Sequence, residues 1–455
     1  MKKLLLLSLT MLLPVLIHAD GIEINGIYYN LITKAKQAEV TSNPSKYSGD
    51  IKIPESIEYD GSKYDVTSIK GGAFGDCAEL ISISIPSSIT SIGEYAFSGS
   101  RNLTSVYIAD LSVWCKIKYG NSESSPFHFA QHLYINGEEV KDLVTPAGIT
   151  SIADYAFYGC SCLQSVEISD GVTSIGKESF KWCSGLTSVK MANSVTSLDV
   201  GAFMNCQNLT SLELSNSLSY ISSYDFCGCN SLTSVTIPNS VTLISLYAFS
   251  LCGFTSIIIP DSVTSIGRNA FSYCGSLTSI DIPNSVTEIR DEAFSGCNKL
   301  TTVSLGSSVS TIQQSAFSYC PEITDVYSYA TTTPATSGNA FEGSYIEAIS
   351  LHVPEEAIDN YKAVTPWKNF KEIVAISSSN INQTLSNKTK IYSIGNKITV
   401  EGVNNGETVE VFSASGTIIG SETCKNGVTQ INTNLKPGDI CIVKIENKSI
   451  KVIVK

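Results

Sequence analysis

Charge is scarce in this chain. Asp, Glu, Lys and Arg together make up 16% of its 455 residues, and the balance is acidic, at −12. An acidic, charge-poor surface repels phosphate backbones and anionic headgroups, which argues against nucleic-acid or polybasic membrane binding. Histidine occurs four times, at 18, 128, 132 and 352, and no H-E-x-x-H motif is present. There is no Ser–His–Asp order with a nucleophile elbow, no Gly-rich phosphate loop and no clustering of carboxylates into a pocket signature. The sequence therefore offers no support for an enzyme, a cofactor or a metal centre. Past residue 19, long apolar runs are absent as well, so no integral membrane segment is expected in the mature chain.

What is present begins with MKKLLLLSLTMLLPVLIHA: Lys2 and Lys3 precede an apolar run that Pro14 breaks and small Ala19 closes. This reads as a secretory signal peptide over 1–19, cleaved near Ala19 and Asp20. Hydrophobic residues make up 43%, ample for a buried interior. Solubility must then come largely from Ser, Thr, Asn and Gly.

Self-similarity decides the fold. Phenylalanine recurs at 74, 97, 157, 180, 203, 226, 249, 271, 294, 317 and 341, mostly 23 residues apart, with one long gap and two single-residue departures. The unit LTSVTIPNSVTLISLYAFSLC (Leu232–Cys252) has a counterpart, LTSIDIPNSVTEIRDEAFSGC (Leu277–Cys297), that differs from it mainly at polar positions. A 23-residue period on an L-x-x-V-x-I core lies in the leucine-rich-repeat range. Val235 and Ile237 are two apart and are predicted to point inward from a strand, while Ser234 and Thr236 face solvent. Pro238 ends the strand, Asn239 and Ser240 turn the chain, Val241 and Ile244 point inward again, and Ala248 and Phe249 close the coil. One coil cannot bury its own apolar face; stability must come from stacking on its neighbours. The expected fold is mainly β: a solenoid of about twelve coils followed by a small antiparallel β-sandwich.

This pattern resembles the BspA-like leucine-rich-repeat family of bacterial surface antigens, and further segments extend the resemblance. GIYYN at 26–30 and YSGDIKIPESIEYDGSKYDVTSI at 47–69 look like that family's N-terminal cap, placed at 20–72. The solenoid follows over 73–350, with a longer irregular coil at 107–148 carrying ADLSVWCKIKYG and LYINGEEVKDLVTP. LHVPEEAIDNYKAVTPWKNFKEIVAI resembles the closing cap at 351–376, with a short helix around Glu355 to Ala363 and Trp367 and Phe370 over the open end. The resemblance implies adhesion to host extracellular-matrix proteins or to bacterial surface proteins.

A polar linker, 377–389, leads to alternating strands over 390–455. VEVFSASGTII, LKPGDICIVKI and the basic terminus Lys451 to Lys455 are similar to the C-terminal sorting domain of the type IX secretion system of Bacteroidetes. The opening Pro-Asn-Pro of that family is missing, and Cys441 stands where an aromatic is common. A plain Ig-like or adhesive module is the other reading. The resemblance implies export and attachment at the outer cell surface.

Fourteen cysteines in an exported chain would suggest disulfides. Nine of them, from Cys77 to Cys320, follow a repeat Phe by three residues and so form one inward column. Side chains in parallel register rarely meet disulfide torsions, so buried thiols acting as small hydrophobes are expected. Cys160 with Cys162, and Cys227 with Cys229, are close pairs without a second pair nearby to make a zinc site. Cys424 and Cys441 are candidates for pairing across strands. His128 and His132 are read as surface or cap packing.

Partner binding must lie on columns that vary while the scaffold repeats. Between the two inward strand residues the coils carry Tyr107, Glu167, Lys190, Glu213, Thr236, Ile258, Asp281, Ser304 and Tyr327. Two residues before the repeat Phe stand Tyr95, Tyr155, Tyr224 and Tyr247. The first column suits a protein-binding strip and the second a protein or glycan edge. Solvated strand polar groups and partly packed tyrosines account for both without a ligand. Three readings follow: an adhesion or protein-binding scaffold, a carbohydrate-binding accessory protein, and a structural surface protein with no dedicated ligand.

Overall fold

A computed structural model describes residues 21–376, 390–394, 397–413, 418–433, 435, 440–445 and 448–453. The expected signal peptide and linker lie outside the described residues. The fold is the expected one, a mainly β solenoid of about thirteen coils with a C-terminal antiparallel sheet region. Two compact units divide the chain, one covering residues 1–130 and 134–137, the other 131–133 and 138–455.

The first unit opens with a hairpin, Ile22–Ile24 against Ile27–Ile32. Asn25 and Gly26 turn it with φ of 52° and 82°, the left-handed pair that two-residue hairpins require. Gln37–Val40 pairs antiparallel with the hairpin on one side and parallel with Ser62–Ile69 on the other. That strand converts a meander into a parallel stack. Ser91–Ile92 and Lys118–Tyr119 continue it, while Ser48–Lys52, Glu79–Ile85 and Ser105–Ile108 pair in parallel in a separate sheet. In the long coil, Asp110 caps a one-turn helix, Leu111–Trp114, by accepting from the Ser112 and Val113 amides. Trp114, fully buried, meets Tyr119 and Phe127 edge-on.

In the second unit, strands Asp142–Val144, Ser165–Ile168, Ser188–Met191 and Ser211–Glu213 pair in parallel, each residue opposite its counterpart one coil away. A second series, Ser279–Ile282, Thr302–Leu305, Asp325–Ser328, Ser350–Val353 and Glu372–Ala375, follows the same rule. Between the two series lies a difference from expectation. Residues 233–237 and 255–259 form no strand, and Val235 is only half-buried. The cause is local: the next coil reads C-G-F where its neighbours read C-N-S-L and C-G-S-L, one residue short. Phe254 fills the slot of a leucine and lies edge-on to Phe249 at 5.6 Å. The Thr255 amide still reaches the Thr233 carbonyl, and the Thr278 amide that of Thr255, so equivalent positions stay aligned while the strand ladder between them is lost.

The interior is a set of one-residue rows. Phe157 through Phe341 stack face to face, with centroids 5.1–5.8 Å apart and ring planes within 17°. Beside them Ala156, Ala202, Ala248, Ala270, Ala293 and Ala316 are wholly buried. The cysteine column is buried too, and its thiols have a partner that sequence reasoning missed. From Cys183 onward each donates to the carbonyl of a Phe in the preceding coil: Cys183 to Phe157, Cys206 to Phe180, and so on through Cys320 to Phe294, at 3.2–3.5 Å. Ser100 and Ser344 occupy the same slot and donate to Phe74 and Phe317. Hence Cys206→Ser should stay within about 1 kcal/mol of the parent in urea unfolding. Cys206→Ala, which forfeits both the bond and the volume, should be the more destabilising of the two by about 1 kcal/mol.

The stack ends at a 3₁₀ turn, Glu355–Ala357, and a helix, Ile358–Ala363. Tyr361 and Trp367 are fully buried there, and Trp367 and Phe370 both meet Phe341 edge-on. The C-terminal region holds two antiparallel sheets. One orders Lys390–Ile394, Lys397–Glu401 and Val428–Asn432; the other orders Ile418–Thr423, Thr408–Ser413, Ile440–Ile445 and Lys448–Ile453. Val400, Val411, Ile431 and Val443 share its core with Cys424 and Cys441, both of which remain free thiols.

Candidate functional site

Parallel register brings the strand column together as a strip. Glu167 lies directly opposite Lys190, and Lys190 opposite Glu213. All three are exposed, and the Lys190 ammonium donates to the Glu167 carboxylate at 2.9 Å. That bond, and then the charge of the same carboxylate, raises the lysine's pKa. Further along, Asp281, Ser304, Tyr327 and His352 form a second strip, with the Tyr327 and His352 rings stacked at 4.2 Å. Thr236 and Ile258, both exposed, stand in the two coils that lack this strand, so the column is two strips rather than one. Tyr107 belongs to the first unit, where it stacks on Tyr134 at 4.7 Å. It lines an open depression of about 320 Å³ with Lys52, Pro54, Pro86 and Asn136.

Flanking threonines are committed to structure. Thr187 donates to the Gln164 carbonyl and Thr210 to that of Thr187, and the pattern recurs at Thr278, Thr301 and Thr324. These hydroxyl rows explain how so little charge suffices.

The members of the tyrosine column differ in their surroundings. Tyr95 is isolated in the first unit and exposed. Tyr155 is half-buried under the Lys177 ammonium, and half-buried Tyr224 and Tyr247 stack on each other at 4.9 Å. All four have φ between 54° and 62°. A second left-handed column, two residues after the repeat Phe, escaped the sequence reading. Its default is glycine, at Gly159, Gly228, Gly296 and Gly343, because a side chain there is strained. Yet Trp182, Leu251, Tyr273 and Tyr319 hold it, each between 43% and 59% exposed. The Tyr273 ring lies across Gly296 and that of Tyr319 across Gly343, where a methyl group would meet ring carbon within 3 Å. Large apolar residues in a glycine slot were the signal available in the sequence.

Other chemistry is sparse. Among the described residues no group of three or more His, Cys, Asp or Glu is placed to hold a metal ion. No described helix is long and apolar enough to cross a membrane. His132 pairs with Glu139 at 2.6 Å, and Lys141 reaches the same carboxylate. Asp225 is the one acid in the buried alanine row. Its carboxylate accepts from the Ser222 amide at 2.6 Å, and burial, with Asp199 nearby, pushes its pKa well above the carboxylate range.

Six copies of the BspA type leucine rich repeat region match this chain, over residues 51–118, 128–253 and 242–362. No curated protein matches it. Among solved structures, it is similar to a leucine rich cell surface protein from Faecalibacterium prausnitzii A2-165, at 22% identity over 79% of this chain and 95% of that one, with a TM-score of 0.48. A leucine-rich repeat protein from Bacteroides ovatus ATCC 8483 gives 22% identity over 78% and 100%, TM-score 0.45. The pneumococcal vaccine antigen PcpA gives 18% over 78% and 98%, TM-score 0.45.

Proposed function

We propose, from the premise that the chain belongs to the BspA type leucine rich repeat family, that it is a surface-displayed scaffold for binding proteins. The observation that carries this reading is the strip Glu167, Lys190, Glu213: exposed, aligned by strand register, and changing in charge from coil to coil above an interior that hardly changes. A rigid strip of alternating charge selects a partner by complementarity and discriminates against like charge. Residues 1–19 serve in this reading as the export signal. Residues 390–455 act as the sorting domain that delivers the protein to the outer cell surface by type IX secretion. Its partners are extracellular-matrix proteins of a host or surface proteins of other bacteria, and it performs no catalysis.

The chain lacking residues 1–19 should bind at least one member of a matrix-protein panel saturably. Replacing Glu167 and Glu213 by lysine should weaken that binding at least about tenfold, or about 1.4 kcal/mol. A panel without binding, or binding unmoved by the double change, sinks the reading. Glycan binding is the second reading, and exposed Tyr273 and Tyr319 favour it, since flat rings backed by glycine present a free face for stacking. Glycan-array binding lost on replacing both by alanine would move the assignment there.

A further inference from the structure

Of the fourteen cysteines, Cys162 alone is not buried. Its sulfur lies 3.5 Å from that of Cys160, two residues back on the same turn. From Cys183 onward each thiol of the Phe-linked column is tied to a phenylalanine carbonyl of the preceding coil, but no repeat Phe precedes Cys160 at that spacing. Its thiol faces Cys162 instead. A partly accessible thiol backed at van der Waals distance by a buried one is the arrangement that attacks a disulfide and then resolves the product.

We propose that Cys162 and Cys160 form a thiol–disulfide exchange site whose substrate class is a small-molecule disulfide. The Cys162 thiolate attacks one sulfur of the disulfide R–S–S–R, forming a mixed disulfide and releasing one thiolate. Cys160 then loses its proton and attacks the Cys162 sulfur, releasing the second. The products are the Cys160–Cys162 disulfide and two molecules of R–SH; the chain gives up two electrons and two protons, and the substrate takes them. Sulfurs at 3.5 Å must close by about 1.5 Å to reach bonding distance, within the range of side-chain rotation in a half-buried turn. The pKa of Cys162 is lowered, chiefly by its bond to Cys160, while burial raises that of Cys160, which suits attacker and resolver respectively. The test reads the two thiols alone, so it does not depend on the partner-binding reading.

The full chain, reduced and then freed of reductant, is mixed while folded with an aromatic disulfide reagent that releases a coloured thiolate, and in parallel with glutathione disulfide. The expected fast phase releases two equivalents of thiolate per chain and leaves no label behind. It should run at least about a hundredfold faster than reaction of the other thiols, which must wait for local opening. Mass spectrometry should find residues 160 and 162 linked in the parent, which needs no variant. Cys160→Ser should release one equivalent and keep the label on Cys162, and Cys162→Ser should lose the fast phase. A stable adduct on Cys162 of the parent, or a fast phase that survives Cys162→Ser, overturns the proposal.

Discussion

Replacing Phe203 by alanine is expected to cost about 3–5 kcal/mol, more than any other single truncation in the repeat. The ring is fully buried and lies between Phe180, at 5.1 Å and 2°, and Phe226, at 5.8 Å and 6°. Truncation removes the transfer energy of the ring and leaves a cavity floored and roofed by aromatic faces that strand register holds in place. In a globular core, neighbours arriving from several directions relax into such a hole. Here each coil touches only the one before and the one after, so collapse would require the backbone stack to compress. Urea unfolding should show the loss as a lower midpoint. A lower slope as well would mean that the stack now opens in two pieces at the weakened interface. Phe203→Leu, which keeps most of the volume, should cost about half as much. A loss under about 1 kcal/mol for the alanine variant would mean that the row is not what holds adjacent coils together.

Replacing Asp225 by alanine should do the reverse and stabilise the protein. Every neighbouring coil fills this slot with alanine or serine, whereas Asp225 puts a fully buried carboxyl there. Burial raises its folded-state pKa well above the value of about 3.9 in the unfolded chain. The folded protein therefore holds a proton that the unfolded chain releases. Stability is fully present below the unfolded pKa and declines as pH rises towards the folded pKa, by up to about 1.4 kcal/mol per pH unit. Asp225→Ala should abolish that part of the slope and gain at least about 1 kcal/mol at pH 7, at the cost of one acceptor for the half-exposed Ser222 amide. Denaturation series at pH 4, 5.5 and 7 on both proteins decide the matter; parallel profiles would refute the buried-charge account.

The period, the inward rows and the exposed strand column were legible because parallel stacking makes one coil the template for the next. Reading Val235 and Ile237 as inward and Thr236 as outward was sound for the average coil. It failed at Val235 because the disturbance comes from the following coil, where Gly253 and Phe254 replace three residues by two. Pattern analysis reads positions; it does not see a neighbour's tether. The tyrosine column is a different case. Spacing placed Tyr155, Tyr224 and Tyr247 on an edge, but whether a ring stands clear or lies under a lysine or another tyrosine depends on rotamers. The left-handed column with Trp182, Tyr273 and Tyr319 was visible in principle, as bulky residues alternating with glycine at a fixed offset. The cysteine row was rightly taken as buried, yet its carbonyl partners belong to the coil before, beyond the reach of a single-coil reading.

Strict register within the second unit also gives its surface a metric. Two exposed residues at the same repeat position, n coils apart in an uninterrupted sheet, are separated by about 4.8 × n Å, whatever they are. Phe, Ala and Cys recur on both faces of a coil, so a duplicated 23-residue segment presents the same two interfaces as the one it was copied from. Length can then change by whole coils without redesigning the interior, while each outward position mutates independently. Such a chain can lengthen its reach, or respell the order of charges along it, by gene duplication and drift alone. The short coil at Gly253 marks where that freedom stops: losing a single residue, rather than a whole unit, unpairs the strand.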